Sequence, residues 1–300
     1  MDGFVNGPVR VSVPATAANL GPGFDSLGLA LDLRDVLTGE VTPPGLEIVV
    51  VGEGADGVPR DESHLVVRAM RAAFAEMGVT PPGLRLRCDN VIPHARGLGS
   101  SSAAIVGGIA LARALVPDGS LLLDGGACFG LAAHLEGHPD NVAPAWYGGF
   151  VICGHQDGEF YAVSSPVDPR VVAVVLVPPY PLSTEVARGL LPATVPHADA
   201  AANSGRTALL VAALAAAPEH LLRATRDLLH QDYRRPAMPD SLELVDGLRA
   251  DGVAAVVSGA GPTVLAFCGA GEAAAVAARA PDGWSGRVIG LDRLGVHAGQ

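Results

Sequence analysis

Residues 97 to 104 read Gly-Leu-Gly-Ser-Ser-Ser-Ala-Ala, a pair of glycines followed by three hydroxyls that open directly into an apolar stretch. These residue types at this spacing suit an oxyanion. The first amides of a helix lack intrahelical acceptors, and the helix dipole puts partial positive charge at the same end. Phosphate therefore collects there. Gly97 and Gly99 let the backbone turn and approach a ligand closely. Ser100, Ser101 and Ser102 can cap the helix, touch phosphate oxygens or reach a magnesium ion. Two better-known nucleotide loops do not fit. A Walker A loop needs a lysine, and the chain contains none. A dinucleotide fingerprint needs glycine where Ser102 stands, and Pro93 interrupts the approach. The loop alone is equally compatible with a serine-rich cap that holds nothing, so other segments have to decide.

Three further segments concentrate polar residues. Residues 14 to 25, Pro-Ala-Thr-Ala-Ala-Asn-Leu-Gly-Pro-Gly-Phe-Asp, read as a loop directly after a strand. Such a density of Gly, Pro, Asn and Asp usually marks a turn, but Asn19 and Asp25 are also a pair that can orient a hydroxyl and bind an ammonium group. Residues 136 to 145 place Glu136, His138, Asp140 and Asn141 within six positions after a helix, which offers metal, base and hydrogen-bonding roles or simply a solvated helix exit. Residues 258 to 263, Ser-Gly-Ala-Gly-Pro-Thr, again permit close backbone approach.

The elements that must position these loops alternate. Residues 9–13, 46–51 and 84–92 are predicted strands, with a helix over 63–77 capped by Ser63 and ended by Gly78. Small residues over 103–115 read as a closely packed helix, followed by a helix over 125–135 and strands over 148–153 and 160–164. Pro166 and Pro169 bracket a linker. Beyond it come a strand at 171–177, helices at 184–190, 200–216, 219–229 and 241–250, a hairpin of 253–257 with 263–268, a helix at 272–279 and a strand at 287–291. This order resembles a split βαβ layout. The chain is therefore read as α+β with two domains, residues 1–166 and 167–300.

Composition bounds the remaining choices. The chain has 300 residues, 49% of them apolar, enough for real cores. The N-terminus shows neither a signal sequence nor a membrane span, so the cytoplasm is expected. Cys88, Cys128, Cys153 and Cys268 lack paired spacing and read as reduced core residues. A formal net charge of −11 argues against nucleic acid. A nucleotide would have to bind through amides and Mg²⁺.

Taken together, Asn19-Leu20-Gly21-Pro22-Gly23-Phe24-Asp25, Arg96 to Ala103, Gly137-His138-Pro139-Asp140-Asn141-Val142-Ala143-Pro144 and Ser258 to Thr263 resemble the GHMP small-molecule kinases. The first of these segments is similar to the homoserine kinase branch of that family in particular. The resemblance runs nearly end to end. It implies a ribosomal-S5-like N-terminal domain, a ferredoxin-like C-terminal domain, and ATP-dependent phosphorylation of the side-chain hydroxyl of L-homoserine, feeding threonine synthesis. ATP would lie on Pro93, His94, Ala95, Arg96, Gly97, Leu98, Gly99, Ser100, Ser101, Ser102 and Ala103, with Mg²⁺ bridging β- and γ-oxygens and held by Ser101 and Glu136. The acceptor would meet Asn19, Asp25, His138, Asp140, Asn141, Thr184, Arg188 and Arg234. Among these, Asp25 and Asp140 suit an α-ammonium, Arg188 and Arg234 an α-carboxylate, and Asn19 the attacking hydroxyl. Asn19 and Asp140 are the catalytic candidates. Arg235 is an equally placed alternative to Arg234, and a base, where one is used, falls on Asp140 or His138. One departure stands out: the usual place of the family's magnesium glutamate falls at His134, two residues before Glu136. A GHMP kinase with another hydroxylated acceptor, a catalytically silent ligand-binding domain, and a homodimer all remain open at this point.

Overall fold

The computed structural model describes residues 3–299. The chain begins with β1 (Val9–Ala18), β2 (Leu27–Thr42) and β3 (Gly45–Gly52), then α1 (Leu65–Glu76), β4 (Gly83–Asn90) and α2 (Ser100–Ala114). Next come α3 (Gly119–Leu122), α4 (Gly125–Glu136), α5 (Val142–Tyr147), β5 (Phe150–Gln156) and β6 (Glu159–Ser165). The second half runs β7 (Val172–Val177), α6 (Thr184–Gly189), α7 (His197–Ala215), α8 (Leu221–Ala224), α9 (Pro239–Ala250), β8 (Ala254–Val257), β9 (Val264–Cys268), α10 (Ala273–Ala277), β10 (Ser285–Ile289) and β11 (His297–Gly299).

Two sheets organise these elements. In the first, β11, β1, β2, β4 and β3 lie side by side, and the hairpin of β5 and β6 joins through β2. Only β3 and β4 pair in parallel. The second sheet has the order β10-β7-β9-β8 and is antiparallel throughout. Because successive side chains of a strand face opposite ways, β7 divides its residues between two cores. Ala173 and Val175 join the main cluster with Leu210, Val256 and Phe267, while Val174 and Leu176 pack with Leu242, Val245 and Val257. The smaller sheet thus shares one face with the rest of the molecule and covers the other with its own helices.

Helix α2 carries the glycine-serine loop at its start and is buried along most of its length. Its small residues permit that: a Cβ on Gly108 would stand 2.7 Å from the Val66 carbonyl of α1, and one on Gly107 would meet Leu37 of β2 at 2.6 Å. The helix is wedged between α1 and the sheet, so its N-terminus cannot drift.

The structure departs from the sequence reading in several places. β1 runs on to Ala18, so the first five residues of the expected loop are strand, with a register shift between Pro14 and Ala15. The sixteen-residue β2 was not expected at all. α1 begins after His64, and Ser63 does not cap it; the Ser63 amide and hydroxyl both donate to Asp61 instead. The helix expected over 219–229 ends at Ala224 and gives way to an irregular segment and a 3₁₀ turn, Asp232–Ala237. The loop at 136–145 contains α5, and the last long strand lies at Ser285–Ile289, slightly before its expected place. The four cysteines are unpaired, three of them buried, as expected.

Candidate active site

The glycine-serine loop is pinned from both halves of the chain. The Ser258 hydroxyl donates to the Gly97 carbonyl at 2.7 Å, and the amides of Thr263 and Leu182 donate to the carbonyls of Arg96 and Ala95. From β1, the Thr16 amide donates to the Leu98 carbonyl at 3.0 Å. Gly97 and Gly99 both have positive φ, 74° and 70°. Neither tolerates a Cβ: at Gly97 it would fall 2.3 Å from the Ser258 carbonyl, and at Gly99 2.0 Å from the Thr16 hydroxyl. No side chain caps α2, so the amides of Ser100 to Ser102 keep their donors for a ligand.

Glu136 closes one side of this loop. Ser101 Oγ donates to its Oε2 at 2.9 Å and Ser102 Oγ to its Oε1 at 2.7 Å. His134 points elsewhere, donating from Nδ1 to the Gly130 carbonyl and standing edge-on to the Phe160 ring at 5.0 Å. Of the two positions, Glu136 and not His134 faces the serine loop.

The first polar loop is equally constrained. Asn19 sits at φ 67°, a left-handed conformation that asparagine accepts more readily than most residues. Its Nδ2 donates to the Gly259 carbonyl and its Oδ1 accepts from the Asp25 amide, each at 2.9 Å. Asp25 makes a two-pronged ion pair with Arg188, at 2.7 and 3.1 Å. Asp140 is 2% exposed. Its Oδ1 receives His138 Nδ1 at 2.7 Å, and no side chain among the described residues donates to its Oδ2. Burial pulls the His138 imidazole down, but the hydrogen bond and charge of Asp140 outweigh it and hold the ring above its usual value. Asn141 accepts from the Thr16 hydroxyl at 2.8 Å.

Arg234 is the most unusual side chain of the site. It is 1% exposed, yet no carboxylate among the described residues pairs with it. Its Nε donates to the Ala187 carbonyl, and its Nη1 to His230 Nδ1 at 3.0 Å and to the Gly259 carbonyl at 3.3 Å. Arg188 and Arg234 both lie against Phe24, 5.5 and 5.4 Å from the ring centre. Burial, and then the charge of Arg188, push the Arg234 guanidinium down to about 10. Two neighbouring cations, of which only Arg188 is paired with a carboxylate, make a place that favours an added anion.

These groups line one cavity of about 230 Å³. It brings together Asn19, Ala95, Gly97, Gly99, Ser100, Ser101, Glu136, His138, Asp140, Asn141, Thr184, Arg188 and Arg234, all singled out in the sequence. Gly259 and Ala260 line it as well, from the 258–263 loop that the sequence singled out, and Leu182 was missed. Asp25 is not on the wall: Arg188 occupies its carboxylate, which corrects its expected place beside an ammonium. Arg235 pairs with Asp232 and Asp246 at the surface, so of the two adjacent arginines only Arg234 faces the cleft. Leu98 is buried core, Ser102 is buried against Glu136, and Arg96 folds back onto the carbonyls of His94 and Pro179. Pro93 lies on neither cavity wall.

A second cavity of about 260 Å³ shares Ser100 and Ser101 with the first. His94 and Ala103 belong here, with Leu37, Val58, His64 and Cys88. Asp35 is the one carboxylate on its wall. Its Oδ1 accepts the amides of Val91 and Ile92, but burial outweighs them and raises the carboxyl from 3.8 to about 6. Apart from His94, Ser100, Ser101 and Ala103, its residues were not singled out for a site, because they come from β1, β2, α1, β4 and the loops between them and share no spacing.

A phosphate cradle at a helix N-terminus, with two sheets meeting beside it, is the arrangement of a GHMP kinase. The family model for the GHMP kinases N terminal domain matches residues 64–149, and that for the GHMP kinases C terminal matches residues 209–286. The chain is 54% identical to a homoserine kinase of Streptomyces coelicolor over 96% of this chain and 93% of the relative, and 50% identical to that of Clavibacter michiganensis over 96% and 92%. A crystal structure of homoserine kinase from Cytophaga hutchinsonii shares the fold, with a TM-score of 0.84 and 97% of each chain covered at 24% identity. The chain belongs to the homoserine kinase family.

Proposed function

We propose that the protein transfers the γ-phosphoryl group of ATP to the side-chain hydroxyl of L-homoserine, a step toward threonine. The observation that carries the acceptor is the buried, unpaired guanidinium of Arg234 beside Arg188. An α-carboxylate clamped between these two satisfies both. Asp140 Oδ2 then takes the α-ammonium, with His138 and Asn141 holding Asp140, and Thr184 lies on the same wall. Asn19, fixed at both ends of its amide, orients the hydroxyl toward the phosphate loop. Asn19 and Asp140 are thus the catalytic pair, and most of the rate comes from positioning and charge neutralisation.

The triphosphate lies along Ala95 to Ser102, and the second cavity takes the base. Among the described residues, no three His, Cys, Asp or Glu side chains converge as a complete metal site. Glu136 and Ser101 would hold a magnesium ion, which would supply charge neutralisation to the transferred phosphoryl group. We place the enzyme in the cytoplasm, where its four free thiols stay reduced. No helix among the described residues is long and apolar enough to cross a membrane. The domain division proposed is 1–166 and 167–300.

Coupled ADP release with L-homoserine, L-threonine, L-serine and mevalonate tests the reading. Turnover is expected with L-homoserine far above the others. Equal or greater turnover with mevalonate, or ATP binding without turnover on any acceptor, overturns it.

A further inference from the structure

Away from the catalytic cleft, a groove of about 690 Å³ between α7, α8 and the last turn of α9 is lined by Arg206, Arg223, Arg226 and Arg249. Acidic residues outnumber arginines in this chain by 31 to 20. Nevertheless none of these four makes an ion pair among the described residues. Arg249 is a fixed post, donating to the Leu222 carbonyl at 2.6 Å, the Thr225 hydroxyl at 2.8 Å and the Ala255 carbonyl at 3.1 Å. Burial holds its guanidinium below the usual value, with the charges of Arg226 and Arg206 adding to that against the pull of Asp246. Nη1 of Arg206 is buried with no partner at all.

Four guanidiniums gathered around the single carboxylate of Glu219, which pairs with none of them, repel one another, and a buried N–H donor without an acceptor is costly. One added anion relieves both. Guanidinium forks suit phosphate in particular. The groove is far larger than a bare ion, and Leu209 and Leu222 give it an apolar wall.

We propose that this groove is a second ligand site, separate from the catalytic cleft, which binds a small molecule carrying a phosphate group. Arg206, Arg223 and Arg226 hold the anion, and Leu209 and Leu222 pack its body. The site is tied to the acceptor pocket. On α7, Asn203 Nδ2 and the Thr207 hydroxyl each donate to the Pro22 carbonyl at 2.8 Å, within the loop that carries Asn19. Asn203 Oδ1 also accepts the Leu228 amide at 3.1 Å, in the segment that leads to Arg234. An anion that draws Arg206 and Arg226 together acts on both supports of the substrate pocket.

Inorganic phosphate is the probe. Calorimetric titration of the whole protein, with the catalytic cleft filled by a non-hydrolysable ATP analogue, Mg²⁺ and homoserine, should show one saturable site per chain, with chloride at matched ionic strength as the blank. The double variant R206Q/R226Q should weaken phosphate at least tenfold while keeping its phosphate-free turnover. The exposed single variant R223Q should weaken it about threefold, and this arm stands even where the double variant folds poorly. In steady state, phosphate should shift the homoserine KM at least twofold in the parent and leave it unmoved in the double variant. No saturable heat, or equal phosphate affinity in parent and variants, overturns the site. A homoserine KM insensitive to saturating phosphate in the parent overturns its coupling to the pocket.

Discussion

Arg234→Leu separates the acceptor clamp from the phosphate cradle. In the proposed complex Arg234 gives a carboxylate two charge-assisted hydrogen bonds, each worth about 1.5–3 kcal/mol. Losing both removes about 3–6 kcal/mol, and at about 1.4 kcal/mol per decade the homoserine KM should rise by roughly two to four orders of magnitude. Stability should move much less, because two terms oppose each other. The substitution deletes donations to Ala187, His230 and Gly259, about 1 kcal/mol each. It also deletes a buried cation whose guanidinium is pushed down to about 10, a cost to the folded state of about 3 kcal/mol. The net change should therefore lie within about 2 kcal/mol. Steady-state kinetics with each substrate varied in turn, alongside urea unfolding, reads both quantities. A homoserine KM raised less than tenfold would refute the clamp, and so would an ATP KM that rises by the same factor, since that reports general damage.

Glu136→Gln should raise the Mg²⁺ concentration needed for half-maximal activity at least tenfold, because a neutral amide replaces the one carboxylate facing the serine loop; His134→Gln should change it less than twofold, and the reverse ranking would show the ligand misassigned. Asp35→Asn should stabilise the protein at pH 7.5. The Asp35 carboxyl is raised from 3.8 to about 6 by burial, so the folded state binds the proton more tightly than the unfolded state and stability falls as pH rises between those values. The asparagine keeps an acceptor for Val91 and Ile92 and avoids the buried charge, giving a gain of about 3 kcal/mol at pH 7.5 that vanishes near pH 4. Denaturant melts at both pH values check it, and a variant no more stable at pH 7.5 than its parent contradicts the raised carboxyl.

The site was more legible than the scaffold. Loops such as 97 to 102 and 136 to 141 pack several functional residues within a few positions, and their chemistry demands particular types there. Strand β2 escaped for a physical reason. Its first five residues, Leu27 to Leu31, are buried on both faces and so show no alternation, while the later residues alternate around Asp35 and Gly39, types that sequence patterns assign to turns. Asp35 serves as the acceptor for the amides of Val91 and Ile92, a role that tertiary contact decides. The helix expected through Leu229 failed differently. Asp227 accepts the amides of Leu229, His230 and Gln231, an alternative to helical bonding that only the tertiary setting makes worthwhile. Arg234 was singled out beside Arg235 without a means to choose, because orientation on a 3₁₀ turn depends on what covers it. The second cavity had no local signature, being assembled from several separate elements.

The last strand, β11, hydrogen-bonds along β1, and Leu291 bridges to Leu31, so chain from the far side of the second sheet returns to finish the first. During synthesis, the edge of β1 must therefore stay open while almost everything else is translated. An unpaired edge is a template for the wrong partner. A chain without residues 292–299 would lose the Asp292–Arg34 ion pair and leave that edge uncovered, although it would still carry the glycine-serine loop.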